Sequence, residues 1–404
     1  MANETNYSFD EVVVYKETTG NQIPANPKAL KIAGVINFSL KEVQKTETNP
    51  TLSAGGQASK KDRGSSDFTG NIECKTMGDV MPFILTHVFG EPTKTNATTS
   101  LWAATTVSAV FNPYTLVGDI VNHSDGIHTL VCKSVAGTGI TGAVEPDMTG
   151  LVSGDTIIDN PGANQVVWTV RGLLYKYEGV SDPCLGTFGG EYSATSGCDG
   201  GAEVFIKRFQ GNFLNGYEIS KSNGTIIHKY ALPVVAMSSS DNVVGNPDGT
   251  PFVSIKSGPG YSEKSMNELP FGYDDLQVQI GGAEPVDGRN FRMAIARNIS
   301  IEDATAQNTK TSLIVQMTVD GEIQLKFTKE QYLSAYQNEN AVVKALFGKK
   351  NGDLAHFTFN DVEKDRVDPD FSTNEPAYLT IPLTASGDKA NPTINFVAYS
   401  EVDY

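Results

Sequence analysis

The sequence predicts a mainly β protein in which two tandem β-rich units, each with a flanking helix, follow one another, the first interrupted by a small inserted β-module. Three observations carry that expectation. Short runs alternate apolar and small polar residues, and 39 glycines in 404 residues supply turns between them. Four segments of the first part find counterparts, in the same order, in the second. From about Asn96 to Gly172 the texture changes to short strands broken by Gly, Pro and Asp.

The matched segments come in order. Asp10–Tyr15 and Asp274–Gln279 each place acidic character ahead of a short strand. Asn37–Glu42 and Asn298–Asp303 each alternate a large apolar residue with a small polar one, as a half-buried strand does. Gly70–Cys74 and Gly321–Leu325 each open a strand on glycine. A helical segment then follows in each unit. The first runs from Met77 to Phe89, with Val80, Phe83, Ile84 and Val88 at helical spacing. The second runs from Lys329 to Phe347, with Leu333, Tyr336, Val343 and Leu346. Gly90 and Gly348 stand where a helix end favours a left-handed residue.

The inserted stretch carries both tryptophans, Trp102 and Trp168, near its ends. Val204–Lys207 and Asn212–Ile219 read as strands that close the first unit, and the segment Ser238–Pro259, rich in Ser, Asn, Gly and Pro, reads as a linker. The expected division is therefore 1–96 plus 173–245, then 97–172 inserted, then 246–404.

Composition narrows function. Hydrophobic residues at 39% are those of a folded chain, and the net charge of −16 argues against a grip on nucleic acid, which depends on cations neutralising phosphates. The polar start lacks the apolar stretch of a signal peptide, and no run approaches membrane-spanning length, so a soluble protein without membrane contact is expected. Free thiols are the expectation for Cys74, Cys132, Cys184 and Cys198, although Cys184 and Cys198 flank a Gly-rich loop and could bridge under oxidising conditions.

Signatures of catalysis are missing. Gly137–Gly142 fits GxGxxG, but Pro146, Gly150 and Gly154 leave no helix to receive a pyrophosphate, so it reads as a turn. His123 and His128, with Asp119 and Asp125 nearby, match no familiar metal spacing and read as a surface turn. Asp274–Asp275 and Glu363–Asp370 lack the spacing of a calcium loop. No catalytic, cofactor-binding or metal-binding residue is assigned, no cofactor is expected, and the protein is not expected to be an enzyme.

The segment Gln44–Ser66 holds the one basic cluster, with Lys60, Lys61 and Arg63 as candidate assembly residues. It has no apolar periodicity and reads either as an arm that orders against a neighbouring subunit or as a mobile surface loop.

The run Ala54–Ile72 with the helix to Gly90 resembles the tail tube proteins of long-tailed bacteriophages, as do Asn351–Phe359 and Glu375–Ala385. The inserted stretch resembles small β-modules of phage tail and fibre proteins. It departs from them by carrying Asp147-Met148 after Glu145-Pro146, where a tryptophan would offer a sugar a stacking face. The resemblance implies β-sandwich domains with a flanking helix, whose sheets close a continuous inner barrel in stacked rings. It also implies an arm reaching neighbouring subunits and an acidic lumen through which duplex DNA passes without specific binding. Expected partners are further copies of the chain, as three-subunit pseudo-hexameric or six-subunit rings, and tail-tip, tape-measure and tail-terminator proteins. The expected location is the virion tail, after assembly in the host bacterial cytoplasm. Competing expectations are a carbohydrate-binding or adhesin protein, an extracellular β-rich hydrolase, and another phage component such as a decoration protein.

Overall fold

The computed structural model describes residues 7–404 apart from 19–21, 33, 49–60, 76–77, 98–99, 103–108, 115, 117, 138–140, 160–161, 164, 181–185, 197–203, 222–228, 247–248, 259, 265–269, 283–284, 287, 304–309, 315–316, 337–339, 350–352, 366, 370, 372–375 and 388–391. It is mainly β, with several antiparallel sheets.

The strand Tyr7–Lys16 shows why the first sheet forms where it does. Val12, Val13, Val14 and Tyr15 are all buried, and alternate residues point to opposite faces. Val12 and Val14 join the main core, while Val13 and Tyr15 join a smaller one with Ala29 and Ile255. This strand lies between Lys28–Lys31 and Phe188–Ser196. The sheet continues through Val204–Leu214 to Ser238–Asp241 on one side and takes Ser262–Lys264, in parallel, on the other.

Val204–Leu214 belongs to two sheets. Up to Gln210 it pairs with Ser238–Asp241, and beyond Gly211 its Phe213 and Leu214 pair with Val235 and Val234. Gly211 makes the corner, with φ +63° and a hypothetical Cβ only 2.8 Å from the Met237 side chain.

The larger sheet links both parts of the chain. Lys61–Lys75 lies between Lys229–Ala236 and the pair Val35–Phe38 and Lys41–Thr48. Gly216–Lys221 then pairs edge to edge with Gly288–Ala296. From there the order runs Thr318–Lys326, Tyr378–Ala385, Leu354–Lys364, Ala341–Gly348, Leu276–Ile280. Leu354–Lys364 also pairs with Ile394–Ser400, and so reaches Tyr175–Val180 and Thr93–Asn96. The two parts share one core. Phe89 lies 5.2 Å from Phe396, 5.8 Å from Phe357 and 6.3 Å from Tyr217 between ring centroids.

The first helical segment occupies Gly78–Phe89 as a 3₁₀ turn, an α turn and a π turn. Every residue in it is buried, so it has no polar face and crosses the core rather than lying on it. Gly90 does take positive φ, 103°, but with ψ −178° it leads into extended chain and is not a left-handed cap.

Three expectations are corrected. The second helix ends at Tyr336, and Ala341–Gly348 is a strand between Leu276–Ile280 and Leu354–Lys364. Its adjacent β-branched Val342 and Val343 fit a pleated ladder, and Gly348 ends a strand, not a helix. The segment Gln44–Ser66 is not a loop throughout: Lys41–Thr48 and Lys61–Lys75 pair directly, with Gln44 opposite Ser66 and Thr48 opposite Lys61. Nor is 238–259 a loose linker, because Ser238–Asp241 is a paired strand and Ile255 is buried against Val13 and Tyr15.

Residues 100–172 form a separate five-stranded sheet, in the order Thr156–Asp159, Val166–Gly172, His128–Val135, Ile120–Asn122, Ser100–Leu101. It has its own core, centred on Trp102 and Trp168 at 5.6 Å. The chain enters and leaves it side by side, Ala97 N–H donating to the Leu174 carbonyl at 3.1 Å.

Candidate assembly surface and the seat of the inserted sheet

The hairpin formed by Lys41–Thr48 and Lys61–Lys75 has a built base. Asn71 N–H donates to Ser39 Oγ at 3.0 Å, and Ser39 N–H donates to the Asn71 carbonyl at 3.0 Å. A Cβ at Gly70 would lie 2.3 Å from Leu40 Cα, so only glycine permits this approach. Glu42 ties the hairpin to the neighbouring sheet: it accepts from Ser239 Oγ at 2.8 Å and faces Lys207 Nζ at 3.5 Å. Burial opposes its charge, but hydrogen bonds from Ser66 and Ser239, together with Lys207, prevail and lower its pKa. Of the expected assembly residues, Lys61 and Arg63 stand on the returning strand opposite Thr48 and Thr46, and Lys60 lies outside the described residues.

Beside this hairpin runs an aromatic strip that the linear sequence does not display. Phe9 stacks on Phe38 at 6.1 Å, Phe38 meets Tyr192 at 4.9 Å, and Tyr192 meets Phe205 at 6.2 Å. Phe9 is 47% exposed, and Ile36 and Val43, on the neighbouring strands of the larger sheet, are exposed as well. Its members come from four strands, and Phe38 and Tyr192 also pack against the main core. Phe38 stands in the larger sheet and the other three in the first, so the strip bridges the two sheets, with Phe9 as its exposed end.

The inserted sheet is seated against the last part of the chain. Phe111, Ile120 and Val131 pack with Leu174, Leu354 and Tyr399. Tyr114 Oη lies 3.1 Å from the Asp274 carbonyl and 3.2 Å from that of Gly348. His356 Nε2 meets the Pro113 carbonyl at 2.5 Å, and burial pushes its pKa down to about 4. At the far end of the seat Arg171, 2% exposed, meets Asp353 at 2.5 Å and Glu401 at 2.7 Å. Glu401 also accepts from Ser153 Oγ at 2.6 Å and Gly172 N–H at 2.9 Å. Asp79, 2% exposed, receives Ser400 Oγ at 3.4 Å.

The remaining sequence candidates resolve into structure. Gly142 N–H donates to Asp159 Oδ2 at 2.8 Å, and the chain after Gly142 turns without forming a helix among the described residues. His123 and His128 both face Asp125, at 3.0 and 2.6 Å, where the carboxylate also accepts the Ile127 and His128 N–H groups. Burial opposes the charge of Asp125, but His128, these amides and His123 together prevail and hold its pKa down at about 2. Asp275 accepts the Gly272 N–H at 2.7 Å, closing a short turn. Cys74 and Cys132 are buried free thiols, each pushed up to about 12 by burial, while Cys184 and Cys198 lie outside the described residues. Among the described residues no three His, Cys, Asp or Glu side chains are placed to hold a metal ion. Both tryptophans sit in the core of the inserted sheet, Phe111 is buried and Tyr114 is half-buried.

The seat thus joins the inserted sheet to the last part of the chain by apolar packing and buried ion pairs, and the hairpin stands beside the aromatic strip. A family model described as phage tail tube protein matches residues 9–387, a span that takes in both parts of the large sheet and the inserted sheet. No curated protein matches the chain. On that match, which covers most of its length and agrees with its mainly β architecture, the chain belongs to the phage tail tube protein family.

Proposed function

We propose that this chain polymerises into stacked rings that form the wall of a phage tail tube, a conduit for DNA ejection. The family match over 9–387 carries the reading. Two further observations support it. Two stretches follow the same order: strand, hairpin arm, strand, helix. They are Val35–Phe38 through Phe89, and Gly288–Ala296 through Tyr336 with the hairpin Ile299–Asp303 and Lys310–Ile314. The strand after each hairpin also pairs with a later returning strand, Lys229–Ala236 in one and Tyr378–Ala385 in the other. On this reading the chain carries two tube domains, 1–96 plus 173–245 and 246–404, with 97–172 projecting outside, and three chains complete a pseudo-hexameric ring.

The edge-to-edge pairing of Gly216–Lys221 with Gly288–Ala296 is the kind of contact that would carry the sheet from one domain to the next around the ring. The hairpin with Lys60, Lys61 and Arg63 reaches an acidic neighbouring copy, and the net charge of −16 gives DNA a lining that does not hold its phosphates. Tail-tip, tape-measure and tail-terminator proteins are the partners at the ends and within the tube. Assembly takes place in the host cytoplasm and the product resides in the virion tail.

Negative-stain microscopy of the purified protein tests this. The expected image is rings or hollow tubes with a channel wide enough for duplex DNA and three repeating masses per ring. A persistent monomer at high concentration, with and without tail-tip initiator, overturns the tube reading. Six repeating masses of one chain each overturn only the two-domain stoichiometry.

A further inference from the structure

The joint between the inserted sheet and the rest of the chain holds more negative than positive groups. Asp79 comes from the buried helical segment, Asp353 and Glu401 flank two strands of the last part, and Arg171 leaves the final strand of the inserted sheet. Asp79, Asp353 and Arg171 are 2%, 1% and 2% exposed. Arg171 meets Asp353 and Glu401, and Asp79 is faced by those two carboxylates, by Arg171 and by the Ser400 hydroxyl. Two buried carboxylates and a third, Glu401, that is 20% exposed share one guanidinium, and they cannot all ionise without leaving uncompensated charge in the joint.

We propose that this cluster is a proton-dependent clasp: with a proton on Asp79 it fixes the inserted sheet rigidly against the tube-forming part, and on losing that proton it loosens the seat. The four contributors come from three distant stretches of sequence, so the clasp forms only when the helical segment, the inserted sheet and the two strands of the last part are all docked. Burial first, and then the charges of Glu401 and Asp353, push the Asp79 pKa up to about 7, against the opposing pull of Arg171 and Ser400. The sign follows. The folded pKa lies above the ordinary aspartate value, so the clasp is fully engaged at acidic pH. Its contribution is lost as pH rises from about 4 and is gone above about 7. The proposal concerns the inserted sheet's attachment and does not depend on the chain forming a tube.

Amide hydrogen exchange, corrected for intrinsic rates, reads the opening of the seat at residues 170–172 and 399–402 in the full chain. Asp79→Asn keeps the shape and removes the titration. Comparing it with the wild type cancels groups common to both, such as His356 and His87. Between pH 5 and 7 the ratio of wild-type to variant opening constants is expected to rise by about tenfold per pH unit, then level off. Ser400→Ala deletes a hydroxyl that favours the ionised carboxylate, and so is expected to move the levelling point to higher pH. A pH-independent ratio overturns the clasp. Where Asp79→Asn does not fold, an unmoved levelling point in Ser400→Ala, against wild type, overturns it equally.

Discussion

At the scale of the residue, the core contains titratable groups of opposite sign. His87 is fully buried, with Nδ1 3.1 Å from the Gly186 carbonyl and Nε2 2.8 Å from Tyr404 Oη. Burial lowers its pKa to about 3 despite the Gly186 contact, so the folded chain keeps it neutral. The unfolded chain binds a proton there near the ordinary 6.5. Its contribution to stability is therefore complete above about pH 6.5 and lost as pH falls toward 3, opposite in sign to that of Asp79. Thermal unfolding of His87→Asn between pH 4 and 7 is expected to fall less steeply toward acid than that of the wild type, by about one proton's worth of slope. Parallel curves would remove His87 from the acid limit. A lone His or Asp carries no mark of burial in sequence; the signal is the apolar run Val80–Leu85, which follows Asp79 directly and is separated from His87 only by Thr86.

At the scale of the element, the hairpin is where assembly is best tested. Thr48 stands opposite Lys61, so residues 49–60 can be replaced by a two-residue Asn-Gly turn without disturbing the ladder. The shortened chain is expected to keep the wild-type far-ultraviolet circular dichroism and melting behaviour but to form no tubes. Normal tubes would show that the arm is incidental.

Much at this scale was legible in sequence. Val12–Tyr15 declares itself as a strand by its β-branched run and Gly70–Cys74 and Gly321–Leu325 by alternation after glycine, and the break at Asn96 and Gly172 brackets a separate sheet. What failed did so for physical reasons. Leu333, Tyr336, Val343 and Leu346 satisfy helical spacing across a helix and a strand alike, because period alone does not see Val343 facing Phe359. Residues 41–48 and 61–66 hold one apolar residue, Val43, so their pairing leaves no apolar pattern in the sequence to read. The aromatic strip and the buried joint each collect residues from distant elements, and nothing in the spacing along the chain brings those together.

At the scale of the whole molecule, charge and shape pull against each other. Copies that carry −16 each must approach closely to polymerise, and their mutual repulsion is screened within about 10 Å at 0.1 M salt. Raising sodium chloride from about 0.05 to about 0.5 M is therefore expected to speed tube growth, followed by light scattering. Slower growth with salt would mean that attraction between the basic hairpin and an acidic neighbour outweighs the overall repulsion. The seat of the inserted sheet gives the chain a second property at this scale: its core at Phe111, Leu174 and Tyr399 is shared, so removing 97–172 would bare apolar surface on the remaining wall.

The contact between His87 and Tyr404 spans 317 residues. Tyr177 Oη likewise meets the Val402 carbonyl, and Lys28 and Lys94 both reach Asp403. Closures of such length are slow because loop entropy is lost before the contact repays it. The order of events in the cell follows from that geometry. A nascent chain still lacking residues 400–404 cannot finish packing its first helical segment, and on the proposed reading that delays the moment at which it can join a neighbouring copy.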